Sequence, residues 1–198
     1  MNPERENLYS GLSHAAWGYF FLTFDFNLGT VSVLPRFVGF LLLLSAIGKL
    51  SGERRDLRLL RPLCILLAVW TAADWLLSWV GGDVDGHILF LDLLLSAAGL
   101  YFHFQFLTDM AALAEQYQPE GECLDRKLRR RRTAYIVLLT ALDLAQNLPN
   151  GLIERLGALG SALMMGGAFL AAAAAVLIMT ALFGLRRCFR EAGSSPEE

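Results

Sequence analysis

Charge is scarce in this sequence. Of its 198 residues 18% are Asp, Glu, Lys or Arg, and 17 basic residues against 19 acidic ones leave a formal net charge of −2. That balance excludes both a basic nucleic-acid surface and an acidic disordered tail. Cysteine is equally sparse, and Cys64, Cys123 and Cys188 cannot make a disulfide framework. His14, His87 and His103 fall in separate segments without ligand spacing, so neither a zinc nor a haem centre is expected. The chain lacks G-x-S-x-G, H-E-x-x-H, a phosphate loop and a dinucleotide fingerprint, so no catalytic residue, metal or cofactor has a signature. A basic start followed by an apolar stretch and an A-x-A-like site is also missing, and no signal peptide is expected.

What the chain has instead is apolar residues. They make up 55% of it, and about 62% once the 18 glycines are added and the 5 tyrosines removed, against roughly 45–50% in ordinary globular domains. A membrane-spanning helix needs about 20 mostly apolar residues, because the hydrocarbon core is about 30 Å thick. Segments 33–50, 62–80, 87–107 and 156–185 meet this easily, and 133–148 is a shorter one set between an arginine run and the breaker Asn147-Leu148-Pro149-Asn150-Gly151. A sixth, 14–30, is interrupted near its end by Asp25 and Asn27. The expected fold is a single all-α transmembrane domain, a six-span helical bundle, or five spans if residues 14–28 do not cross.

The distribution of positive charge orients these segments. Loops that stay in the cytoplasm carry an excess of Lys and Arg. Lys49, Arg54, Arg55, Arg58 and Arg61 lie between the second and third segments. Arg126, Lys127 and Arg129 to Arg132 lie between the fourth and fifth, and Arg186, Arg187 and Arg190 follow the last. With Arg5 this places 15 basic residues on one side and leaves only Arg36 and Arg155 for the other. The chain is therefore expected in the cell membrane with both termini cytoplasmic, where all three thiols stay reduced. Trp17, Tyr117 and Tyr135 on the inner side and Trp79 on the outer read as an aromatic belt. The basic run at 126–132 would meet anionic lipid headgroups of the bilayer, and residues 108–118 would form an amphipathic extension along the inner surface.

Four acids fall inside the predicted spans: Asp25, Asp74, Asp92 and Asp143. Each costs up to about 2.5–3.5 kcal/mol at a helix centre, so such residues face protein or water. Thr71, Asp74 and Ser78 share a helix face, and Thr140, Asp143 and Asn147 repeat the arrangement. Asp92, Ser96, Gly99 and His103 form a third stripe. Thr23-Phe-Asp25 loosely echoes the Thr and Asp pairs, which suggests three related hairpins.

With the orientation above, the acids come to similar depth towards the outer leaflet. His103 lies about 16 Å nearer the cytoplasm than Asp92. Arg36 is the outer cation within reach, either of Asp25 or Asp92 or of an anionic solute. Two uses of this set are open. The acids, His103, Thr71, Thr140, Asn147 and Arg36 would bind or transport a cation or small solute, or the same groups would only join helices by hydrogen bonds. In length and span count alone, the chain resembles the substrate-binding membrane subunits of energy-coupling vitamin importers. On the second reading the protein is an accessory or assembly subunit that meets a membrane partner through the small residues of its last span. An enzyme acting on lipid is a third reading.

Overall fold

The computed structural model describes residues 3–24, 27–28, 31–32, 35–79, 89–119, 121, 123–147 and 156–191. Among them are six helices: α1 (Pro3–Thr23), α2 (Arg36–Leu50), α3 (Asp56–Trp79), α4 (Leu89–Tyr117), α5 (Leu124–Asn147) and α6 (Ala158–Glu191). A two-residue antiparallel ladder, Asn27 opposite Ser32 and Leu28 opposite Val31, lies between α1 and α2. The remaining regular structure among the described residues is helical.

Local chemistry sets several helix ends. Pro3 stands in the first turn of α1, where its missing N–H has no intrahelical partner to lose, and α1 begins well before the apolar segment at 14. Pro35 caps α2 in an extended conformation, and the Ser51 N–H closes its other end on the Ile47 carbonyl. At α5 the Gln118 side-chain carbonyl accepts from the backbone N–H of Leu124 at 2.8 Å and Asp125 at 3.2 Å, satisfying two donors that the helix leaves unused.

Each helix packs on its chain neighbours, and α6 returns to α1, so the six form a closed ring. The α1–α2 pair is the tightest crossing. A Cβ on Gly18 would stand 2.8 Å from Leu43 Cγ and 3.1 Å from the Gly39 carbonyl oxygen, and one on Gly39 would stand 2.9 Å from the Gly18 oxygen. Only glycine at both positions lets the two backbones meet.

Burial is concentrated at one end of the ring. In α1 the buried residues run from Leu8 to Tyr19, in α2 from Gly39 to Leu50 and in α3 from Leu57 to Ala68. They run from Phe102 to Ala114 in α4, from Leu124 to Tyr135 in α5 and, apart from Gly160, from Ala171 to Phe189 in α6. Contacts among Ser10, Lys49, Tyr117, Glu53 and Phe189 place the arginine-rich segments at this same end. The far half of the helices is apolar yet uncovered, with Trp79 at 61% and Phe169 at 83% exposure.

Among the described residues two helices are long and apolar enough to cross a membrane, over Asp56–Leu77 and Ala158–Phe189. The others differ from the expected spans in identifiable ways. Helix α2 has 15 residues, and α5 opens on the arginine run, so that run is helix rather than loop. The extension expected at 108–118 does continue the fourth helix, but it packs in the core instead of lying along the surface. Helix α4 runs through to Tyr117 without a break, and Met110, Leu113 and Ala114 are core rather than interface. Their spacing matches that of Phe102 and Phe106, so one buried stripe continues down the helix.

Candidate functional site

The far half carries most of the residues singled out by the sequence. Asp25 lies outside the described residues, as do the side chains of Asp92, Asn147 and Ser78. Asp74 and Asp143 are half-buried in α3 and α5, and Arg36 is exposed at the start of α2. One pairing joins two of the predicted stripes: the Ser96 hydroxyl of α4 donates to Asp143 Oδ1 of α5 at 2.8 Å.

The threonines of the three segments compared in the sequence behave alike. Thr71 donates to the Leu67 carbonyl at 2.7 Å, Thr140 to Ile136 at 2.8 Å and Thr23 to Tyr19 at 2.7 Å. Each hydroxyl is thus satisfied within its own helix, which allows it to face an apolar surrounding without an unpaired donor. Among the described residues no group of three or more His, Cys, Asp and Glu is gathered as a metal would require.

His103 belongs to the buried centre, apart from the acids. Its Nδ1 and the Tyr19 hydroxyl share a hydrogen bond at 3.3 Å, joining α4 to α1. Rings from four helices surround it, with Phe40, Phe102 and Tyr135 at centroid distances of 6.4, 5.6 and 5.8 Å. This pair fills the middle of the ring with a satisfied polar contact in a packed aromatic setting. The expected aromatic belt is corrected here, since Tyr135 is a core residue. It follows Leu124 and Leu128 along the buried face of α5, a seven-residue spacing from Leu128 that could have shown its direction. Tyr19 went unremarked in the sequence because a tyrosine in an apolar run carries no signal of its own.

The basic end is a network of cations with assigned partners. Lys49 donates to Ser10 at 2.6 Å, and Arg129 pairs with Glu115 at 2.5 Å. Arg131 donates to the Leu177 carbonyl and to Thr180, Arg132 to Thr108 at 2.6 Å, and Arg186 to the Tyr9 hydroxyl. Arg132 also lies 4.2 Å from the Phe104 ring centre and Arg186 4.0 Å from that of Tyr9. Much of the arginine run therefore ties helices together.

One acid is buried in this network. Asp109 of α4 is 4% exposed, accepts from Gln105 Nε2 at 3.3 Å through Oδ1, and has a buried Oδ2 without a partner. Burial, reinforced by Asp56, pushes its carboxyl up to about 6, while Arg54 and the Gln105 bond act the other way.

Beside the network, the start of α5 and the end of α6 enclose an open cavity of about 550 Å³. Lys127, Arg187, Cys123 and Cys188 line it. Cys123 is exposed, and the buried Cys188 donates through Sγ to the Gly184 carbonyl at 3.5 Å.

Comparison of the chain with protein-family models, with curated proteins and with solved structures finds no match.

Proposed function

We propose that the chain is a multi-pass membrane protein with its basic end and both termini in the cytoplasm. It acts as an accessory or assembly subunit, joining another membrane chain through the outer face of α6. The observation that carries this reading is on α6 itself. Ala158, Ala162 and Gly166 recur every four residues, all three are exposed, and nothing stands within 4 Å of a Cβ on Gly166. Small residues at that spacing let two helices approach closely in lipid, where packing and not exclusion from water drives association. Elsewhere on α6, Ala171, Ala174, Ala175 and Ala181 are buried within the bundle, so the helix carries a second small face that the chain itself leaves uncovered. The Ser96–Asp143 bond and the self-satisfied threonines fit polar groups that join or quiet helices without holding a solute.

Membrane residence is supported by the two candidate spans and by the bare apolar far half. Water would not tolerate so much contiguous apolar surface on a monomer. A solute site is the competing use of the same half, favoured by Asp74 and Asp143 being half-buried.

Extraction from native membranes in mild detergent separates the two. The assembly reading expects the wild type in a complex larger than its 21.9 kDa chain, and Gly166→Leu alone and undiminished in thermal stability. A complex that survives Gly166→Leu and Ala162→Leu overturns it. A cation or solute that raises the melting temperature of wild type but not of Asp143→Asn replaces it with solute binding.

A further inference from the structure

We propose that the cavity between α5 and α6 binds a phosphate group, presented by an anionic phospholipid headgroup at the basic face. The argument begins with which cations are already used. Arg129, Arg131 and Arg132 hold Glu115, the Leu177 carbonyl and Thr108, and Arg186 holds Tyr9. Lys127 and Arg187 differ from these, because neither side chain has a hydrogen-bond or ion-pair partner among the described residues. They come from helices far apart in sequence, and both line the one cavity.

No acid is found among the described residues that line it. The nearby Asp125 carboxylate accepts from Gln118 Nε2 at 3.0 Å instead. A guanidinium offers a planar fork that matches two phosphate oxygens, and an ammonium adds a point charge.

The cavity also has room for a headgroup. Its volume of about 550 Å³ falls within the roughly 300–1,000 Å³ of small-molecule sites. Gly121 lines it with φ 95°, a left-handed conformation that side chains other than glycine rarely adopt, so the wall stays low where the chain turns into α5. Gly184 opposes it on α6, where even a Cβ would meet only Leu124 Cδ2 at 3.6 Å. The site rests on the membrane placement proposed above, which sets the end where the arginine segments gather at the headgroup level of the cytoplasmic leaflet. Of the basic run 126–132 it selects Lys127, and it adds Arg187 from outside the run.

Cys123 provides the readout, being exposed and on the lining while Cys188 is buried. The full-length protein is placed in nanodiscs of phosphatidylcholine alone or with 30% phosphatidylglycerol (a chosen composition of about one anionic lipid in three). The rate of Cys123 alkylation by neutral N-ethylmaleimide is followed by peptide mass spectrometry. Phosphatidylglycerol is expected to slow alkylation at least about tenfold, corresponding to about 1.4 kcal/mol. K127Q and R187Q should each lose the protection. R130Q, which removes an exposed charge from the same run but not from the lining, should keep it.

Protection by inorganic phosphate in pure phosphatidylcholine discs, abolished by the same two variants, assigns the site to the phosphate group whatever carries it. Equal alkylation rates with and without phosphatidylglycerol and phosphate overturn the proposal. Protection lost in R130Q as fully as in R187Q also overturns it, because the effect is then one of general surface charge. Circular dichroism of K127Q and R187Q in the phosphatidylcholine discs identifies a variant that fails to fold, and K127R then takes its place with protection expected to return.

Discussion

Gly18 and Gly166 belong to the packed and the open parts of this bundle. At Gly18 the backbone of α1 lies against that of α2 so closely that a Cβ would strike Leu43 and the Gly39 carbonyl oxygen, whereas a Cβ on Gly166 meets nothing. The buried end is closed by backbone contact, an aromatic centre and cations with defined partners. The far end is apolar without being covered. In the membrane placement proposed above, leaving it uncovered costs nothing extra, since an exposed leucine is already in an apolar solvent, and packing need be complete only where the chain must hold its own shape. Near the basic end long cations reach from one helix to another, while threonines in both halves bond back into their own helices.

The largest expected effect tests whether the two glycines really differ. Gly18→Val forces the Gly39 carbonyl and Leu43 to move and should cost about 3 kcal/mol, the upper end for an overpacked site. Gly166→Leu should fall within about 0.5 kcal/mol of wild type, as surface substitutions do. Detergent-solubilised protein unfolded with increasing dodecyl sulfate reads both. Equal losses at the two positions would remove the distinction between a packed end and an open one.

How much of this was readable in the sequence follows from the same contrast. The six helices were visible because apolar length is a local property, and the basic end was visible because Arg and Lys mark it directly. The burial gradient was hidden. Leu93 and Leu107 look alike in sequence, yet one is 55% exposed and the other fully buried, a difference made by neighbours distant in the chain. The acids of the far half were visible as costly residues. Their partners were not, since Ser96 lies 47 residues from Asp143. The cavity at the basic end was invisible too, because Lys127 reads as one member of a run until Arg187 is placed beside it.

A second test asks whether the packed end carries a hidden cost. Asp109 is buried there with one oxygen unpartnered and its carboxyl raised to about 6, beyond the end of the predicted span at 107. The folded protein therefore keeps a proton that the unfolded chain, near the ordinary value of 3.8, has already lost. Stability from this group is fully present below about pH 4 and is lost as pH rises through about 6. The loss should reach about 2 kcal/mol, at roughly 1.4 kcal/mol per pKa unit and with allowance for partial relaxation. Asp109→Asn should flatten thermal stability between pH 4 and 7 and exceed wild type at pH 7.5. A variant whose pH profile runs parallel to wild type would show that the carboxylate is solvated and that the packed end is looser than its burial suggests.

The smallest effect belongs to the far half. Ser96→Ala removes the donor to Asp143 while leaving both helices otherwise intact. Interhelical hydrogen bonds in membrane proteins are worth about 0.6 kcal/mol on average, because separated helices find other partners for the same groups. If that bond fastens α4 to α5, Ser96→Ala should lower stability by about that amount in the same dodecyl sulfate titration. A Ser96→Ala variant as stable as wild type would show that the contact holds nothing together, and that the open half keeps its helices in place by apolar packing alone.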